Sequence, residues 1–235
     1  MEAKKLPGLV DIIRSSFFIF FKKHNFFYLL KIVLLNFGIT LALMLPIMLF
    51  ASVFSDESVV QNIGPAVTIF VPTIAFAIAM IIWGLLMQAT IVVGVSKVVS
   101  GTTPTVKETV KIAWGKLGRY FLTNLVTGLI IVVGLLFLIV PGIIFAVWYS
   151  FSQYLVITKD IRPIDALKAS KALVSGYFWP VLGRTLGIMV FFVIVQIALN
   201  FIPVLGPLAV ILLAPYFVLA PYLVFDGLRK VKAKS

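Results

Sequence analysis

The chain has 235 residues, of which 62% are hydrophobic and 12% are charged, and its formal net charge is +12. A soluble domain carries about 25% charged residues and does not need apolar runs of about twenty residues, so this composition excludes an ordinary soluble protein. The positive charge indicates a membrane surface rather than nucleic acid, because no basic-aromatic module of the known kinds is present.

The first predicted element is an amphipathic stretch near the N-terminus, in which Leu9, Ile12, Ile13 and Phe17 follow helical spacing. It has no short apolar core followed by a small-residue cleavage site, so we predict an interfacial helix and no removable signal peptide. Six apolar stretches follow that are long enough to cross a bilayer core of about 30 Å. They are residues 26–50, 65–95, 120–140, 143–158, 181–201 and 204–225.

Short turns are predicted between the later spans. Pro141-Gly142 predicts a tight turn between the third and fourth spans, and the Pro- and Gly-containing residues 201–207 predict another between the fifth and sixth. Pro46, Pro72, Pro215 and Pro221 fall within spans, where prolines are found both in broken helices that line a substrate path and as tolerated kinks.

Two further amphipathic stretches precede the third and fifth spans. The three stretches begin near Pro7, Pro104 and Pro163, and Thr105 with Glu108 forms a candidate capping box. We therefore predict a single all-α domain, a polytopic membrane protein with six transmembrane helices arranged as three repeats of interfacial amphipathic helix plus helical hairpin. The domain covers residues 1–235, with repeat units 7–100, 101–160 and 161–228 and a short basic tail 229–235.

The distribution of charge predicts the topology. All 20 lysines and arginines lie in the segments on one side of the predicted spans or next to them. The connections on the opposite side contain no basic residue, and their charged residues are Asp56 and Glu57. Because basic residues collect on the cytoplasmic side, we predict a multi-pass protein of the cell membrane, cytoplasmic or inner, with both termini in the cytoplasm.

Residues 139–185 contain a Pro-Gly pair before a span, the helical sequence ALKAS, and the aromatic pair Phe178-Trp179. This pattern resembles the membrane domain associated with glycerophosphoryl diester phosphodiesterases and the related YciC-like bacterial and archaeal integral membrane proteins. The resemblance implies the fold and an association with lipid metabolism or the envelope. No phosphodiesterase domain follows this stretch, so we expect none of that enzymatic activity.

The chain offers few groups for catalysis. It has no cysteine, which excludes disulfides, thiolate metal sites and cysteine nucleophiles. His24 is the single histidine and is interpreted as an interfacial anchor, with a proton shuttle as the alternative. The acidic residues lie outside the predicted spans or at their ends, which disfavours ion-coupled transport. We predict no enzymatic activity, no metal site and no cofactor.

Two sets of residues are candidate binding sites. Arg162, Lys168, Lys171 and Arg184 could donate to lipid phosphate headgroups, or could form a solvated helix face with weak ion pairs. A polar intramembrane cluster could line a cavity, or could act as packing contacts between helices. Its members are Gln88, Gln153, Gln196 and Asn200.

These features predict a non-enzymatic integral membrane protein with a lipid-interacting, membrane-organising or scaffold role. The alternative is a permease or flippase for a lipid-like or small amphiphilic substrate. The expected partners are membrane lipids, above all anionic ones, and a protein at the cytoplasmic face, but no nucleic acid. The sequence leaves the oligomeric state and the identity of the lipid or substrate open.

Overall fold

A computed structural model describes residues 6–53, 71–203 and 205–233, and within these ranges every regular element is an α-helix. The helices are α1 (Leu9–Phe21), α2 (Lys23–Val53), α3 (Val71–Val99), α4 (Val106–Phe137), α5 (Ile139–Tyr149), α6 (Ser152–Lys159), α7 (Pro163–Val174), α8 (Phe178–Asn200) and α9 (Leu205–Lys232).

Six helical segments are long and apolar enough to cross a membrane, which confirms the predicted number of spans. They are Lys23–Leu45, Thr73–Val99, Val106–Phe137, Ile139–Lys159, Phe178–Asn200 and Gly206–Lys232. The acidic connection that contains Asp56 and Glu57 lies outside the described residues.

The three amphipathic stretches do not have equivalent structures. α1 and α7 are separate helices, but the second stretch is the start of α4, which runs for 32 residues without a break. Our prediction of a separate second interfacial helix is therefore wrong. The capping box of Thr105 and Glu108 does begin this helix, as predicted. Residues 106–137 contain no proline, so nothing in the backbone stops the helix at the membrane edge.

The turn between α4 and α5 lies at Leu138, three residues before the predicted Pro141-Gly142 position. Leu138 is extended, with φ −164° and ψ 149°, while Pro141 lies in the first turn of α5. A proline ring clashes with the carbonyl group four residues earlier, which here belongs to Phe137, the last residue of α4. The proline thus ends the preceding helix and is accommodated by the next one.

The fourth predicted span is a pair of helices. α5 ends at Tyr149 and α6 begins at Ser152, so the span is interrupted at Ser150 and Phe151. In contrast, Pro215 and Pro221 lie inside the continuous helix α9. The discontinuity in this bundle therefore occurs where there is no proline.

Side-chain contacts bring several connections together at one end of the bundle. His24 Nε2 is hydrogen-bonded to Thr103 Oγ1, which joins the start of α2 to the α3–α4 connection. Arg119 of α4 pairs with Asp160 in the α6–α7 connection at 2.8 Å. We call this end, with the last turns of α9, the basic end.

Helix packing is concentrated towards the basic end. In α2 the buried residues lie between Tyr28 and Val33, and no residue from 34 to 45 is buried. In α3 the buried residues begin at Leu86, and in α8 none of residues 189–200 is buried. Far from the basic end, the helices therefore expose apolar side chains that need lipid or another apolar partner to cover them.

Candidate functional site

Cationic side chains at the basic end fall into two groups, those that form salt bridges within the described ranges and those that do not. The first group has four members. Lys116 and Arg119 contact the Asp160 carboxylate at 3.7 and 2.8 Å. Arg229 and Lys230 contact Asp226, also at the basic end, at 3.0 and 2.6 Å. Each of these four cations is therefore paired with a carboxylate inside the molecule, with two cations sharing each carboxylate.

The Asp226 carboxylate is buried, with 8% of its side chain exposed. Its sequence position at the end of a span gave no sign of this burial, although cations three and four residues later on a helix are suitably placed to pair with it. Since both partners lie on the same helix, the ion pairs neutralise the buried charge locally.

Arg184, a predicted headgroup donor, is bonded to backbone carbonyl groups. Its guanidinium group donates to Leu6 O at 2.9 Å, to Pro7 O at 2.7 Å and to Pro180 O at 2.8 Å. These bonds tie the segment before α1 to the start of α8. Arg184 therefore has a structural role within the fold.

Helix α7 presents the other three predicted headgroup residues. It begins with Pro163 at a position where the missing N–H is not needed. Its inward stripe, Ala166, Ser170 and Val174, has no exposed surface. Because these residues recur every fourth position, they hold one face of the helix firmly against its neighbours.

Arg162, Lys168 and Lys171 are exposed at the other side of α7 or at its N-terminal end. Lys171 Nζ lies 4.3 Å from the centre of the Trp148 ring. Within the described ranges none of the three forms a salt bridge, although Asp165 lies three residues before Lys168. Three cations on one anchored helix are therefore available to bind an anion.

The inward face of α7 also completes the interruption between α5 and α6. Ser170 Oγ donates to Trp148 O at 2.7 Å and accepts from Phe151 N at 3.2 Å. A break in an apolar helix leaves backbone groups without their helical partners, and these groups need replacements. Our sequence interpretation missed this site, for which the signal was the polar run Ser150, Ser152 and Gln153 inside an apolar span.

The predicted polar cluster is not joined by hydrogen bonds within the described ranges. Gln153 is half-buried and accepts a hydrogen bond from Tyr120 at 3.1 Å. Gln88, Gln196 and Asn200 are exposed on α3 and α8. Over the described part of the chain, no hydrogen bond joins any two of the four residues. The geometry of Gln153 fits an interhelical packing contact.

Metal ligation has no candidate site in residues 6–53, 71–203 and 205–233, where no group of three or more His, Asp or Glu side chains could hold an ion. Comparisons with protein-family models, curated proteins and solved structures find no match for this chain. The resemblance of residues 139–185 to the phosphodiesterase-associated membrane domain stays a prediction. The function is therefore argued from the residues themselves.

Proposed function

We propose that the protein is a non-enzymatic membrane protein that binds anionic phospholipid headgroups along α7 and organises lipid around the bundle. The observation that carries this proposal is that Arg162, Lys168 and Lys171 form no salt bridge within the described ranges and lie on or directly before a helix whose opposite face is fully buried. A helix fixed in this way holds its cations in place before the lipid arrives, which lowers the entropic cost of binding.

The surroundings of α7 suit a bilayer interface. Trp179, the second residue of α8, is 76% exposed, and Ile164, in the first turn of α7, is 62% exposed. An exposed tryptophan is favoured at the headgroup level, where its ring is apolar and its N–H remains in a polar environment. Apolar side chains beside lysines are typical of elements that contact acyl chains and headgroups together.

The proposal predicts selective loss of anionic lipid when the cations of α7 are removed. In the triple variant Arg162→Gln, Lys168→Gln, Lys171→Gln, retention of phosphatidylglycerol should fall at least about tenfold relative to phosphatidylcholine. A direct hydrogen bond between a cation and a headgroup phosphate contributes about 1.5–3 kcal/mol, and about 1.4 kcal/mol corresponds to a tenfold change in affinity. Native mass spectrometry of the gently solubilised protein measures the number of lipids retained.

A matched control removes the same charge elsewhere at the basic end. Lys22, Lys23 and Lys31 are exposed, and their triple change to glutamine should leave phosphatidylglycerol retention nearly unchanged. Equal losses in the two triple variants would reduce the effect to net charge and contradict a site on α7. Absence of any anionic preference in the unmodified protein would have the same consequence.

The second candidate function is transport of a lipid-like or small amphiphilic substrate. The observation that favours it is the interruption between α5 and α6, since discontinuous helices form the substrate sites of many transporters. Proteoliposomes containing a fluorescent nitrobenzoxadiazole phospholipid distinguish the two functions. Faster access of dithionite to inner-leaflet lipid than in protein-free vesicles would favour transport, and equal rates favour the lipid-organising role.

A further inference from the structure

A cleft of 630 Å³ lies at the basic end, between the end of α3 and the start of α4. Its lining includes Lys97 from α3, Thr102 and Thr103 from the connection, and Glu108, Lys111 and Ile112 from α4. This volume is within the range of small-molecule sites, about 300–1,000 Å³, and therefore leaves room for more than a single inorganic anion.

The connection beside the cleft has a defined conformation. Gly101 has φ +80°, in the left-handed region that glycine adopts without strain. Thr102 N donates to Lys97 O at 2.9 Å, which closes the end of α3. On the far side, Thr103 Oγ1 is hydrogen-bonded to His24 of α2. Three helices thus fix the wall of the cleft.

The charges in the cleft favour an anion. Lys97 and Lys111 line it from different helices, and neither forms a salt bridge with a carboxylate of the described ranges. Glu108 also lines the cleft, but its carboxylate accepts a hydrogen bond from Thr105 N at 2.9 Å at the positive end of α4. With two lysines and one locally bonded carboxylate, the lining retains a net positive charge.

We infer that this cleft binds the phosphate monoester of a small organic molecule. Lys97 and Lys111 would contact the phosphate group, and the Thr103 hydroxyl group would be hydrogen-bonded to one of its oxygen atoms. Lysine ammonium groups bind phosphate as compact charges, and hydroxyl groups complete such sites. Ile112 and the lysine methylene groups provide an apolar wall for the carbon skeleton. This site is separate from α7 and does not depend on the function proposed for that helix.

The same chemistry occurs in a soluble glycerol phosphate and in a lipid headgroup, so the test has two arms. In the first, glycerol 3-phosphate is titrated by calorimetry into the protein in nanodiscs of phosphatidylcholine alone. In the second, the nanodiscs contain phosphatidic acid, and bound lipid is counted by native mass spectrometry. Binding in the first arm identifies a soluble ligand. Phosphatidic acid that is retained in the second arm and lost when Lys97 and Lys111 are changed, without binding in the first arm, identifies a lipid.

The test variant is Lys97→Gln with Lys111→Gln, and the control is Lys22→Gln with Lys31→Gln, which removes the same charge from exposed lysines that do not line the cleft. The first should weaken binding at least about tenfold, since hydrogen bonds to charged groups contribute about 1.5–3 kcal/mol each. The control variant should change the affinity for the ligand by less than about twofold. Lys97→Arg with Lys111→Arg, which keeps both charges, should retain binding. Lys97 is half-buried and Lys111 is exposed, so the fold should tolerate their replacement.

Absence of binding in both arms for the unmodified protein would overturn the cleft assignment, as would unchanged binding in the Lys97 and Lys111 double variant. If Lys168→Gln with Lys171→Gln lowered binding and Lys97→Gln with Lys111→Gln did not, the site would lie on α7. The function proposed for α7 would then stand while the cleft assignment failed.

Discussion

Replacing Gly142 with valine is expected to lower the free energy of unfolding by about 1–3 kcal/mol, the usual cost of overpacking a close contact. A Cβ atom at position 142 would lie 2.5 Å from Leu135 Cγ and 3.0 Å from the backbone nitrogen of Leu135. Leu135 could rotate its side chain, but the backbone nitrogen can move only if α4 and α5 separate. The α4–α5 hairpin should therefore open at this point.

The thermal unfolding midpoint in mild detergent, followed by tryptophan fluorescence, measures this effect. Gly128→Val is the matched control, because a Cβ atom at position 128 of α4 meets no atom within 4 Å. It should shift stability by less than about 0.5 kcal/mol, as substitutions away from buried contacts usually do. Similar midpoints for the two variants would show that α4 and α5 are not in close contact at Gly142.

Replacing Ser170 with alanine is expected to destabilise the interruption between α5 and α6 by about 1–3 kcal/mol, the cost of leaving a buried polar group without its partner. The Ser170 side chain accepts from Phe151 N and donates to Trp148 O, and Ser170 has no exposed surface. Alanine removes both bonds and leaves Phe151 N and Trp148 O without their side-chain partner.

Hydrogen exchange of the backbone amide of Phe151, resolved by mass spectrometry of peptides across residues 148–153, measures this loss directly. Exchange should accelerate at Phe151 in Ser170→Ala and remain unchanged in Ser175→Ala, which alters an exposed serine just after α7. Unchanged exchange at Phe151 in both variants would mean that Ser170 does not complete the backbone of this span.

Some of this structure could be predicted from the sequence, because it depends on local composition. Long apolar runs identify six spans whatever their neighbours are, and Thr105 with Glu108 identifies the start of α4 from a spacing of three residues. The predicted end of the second amphipathic stretch failed because the sequence has no breaker there. A change from an interfacial to a membrane environment does not by itself interrupt a helix.

The candidate site was less predictable because it depends on contacts between distant residues. The interruption at Ser150 and Phe151 is completed by Ser170, about twenty residues later, so the local polar run marks its position but does not identify its partner. Likewise, the sequence around Arg184 suits a headgroup donor at the start of a span. Only the fold brings the carbonyl groups of Leu6 and Pro7 close enough to accept its hydrogen bonds. The availability of a cation depends on which acceptors the fold brings near it.

The proposed lipid contacts require the six apolar helices to cross the bilayer with the basic end on one side. The chain has no cysteine, so single-cysteine variants can be labelled without background. Ser100 and Ser175 lie in connections at or near the basic end, whereas Leu138 and Ile202 lie in the α4–α5 and α8–α9 turns. A membrane-impermeant maleimide applied to inside-out and right-side-out vesicles should label Ser100→Cys and Ser175→Cys from one side only. It should label Leu138→Cys and Ile202→Cys from the opposite side only. Labelling of Ser100→Cys and Leu138→Cys from the same side would contradict the six-span arrangement.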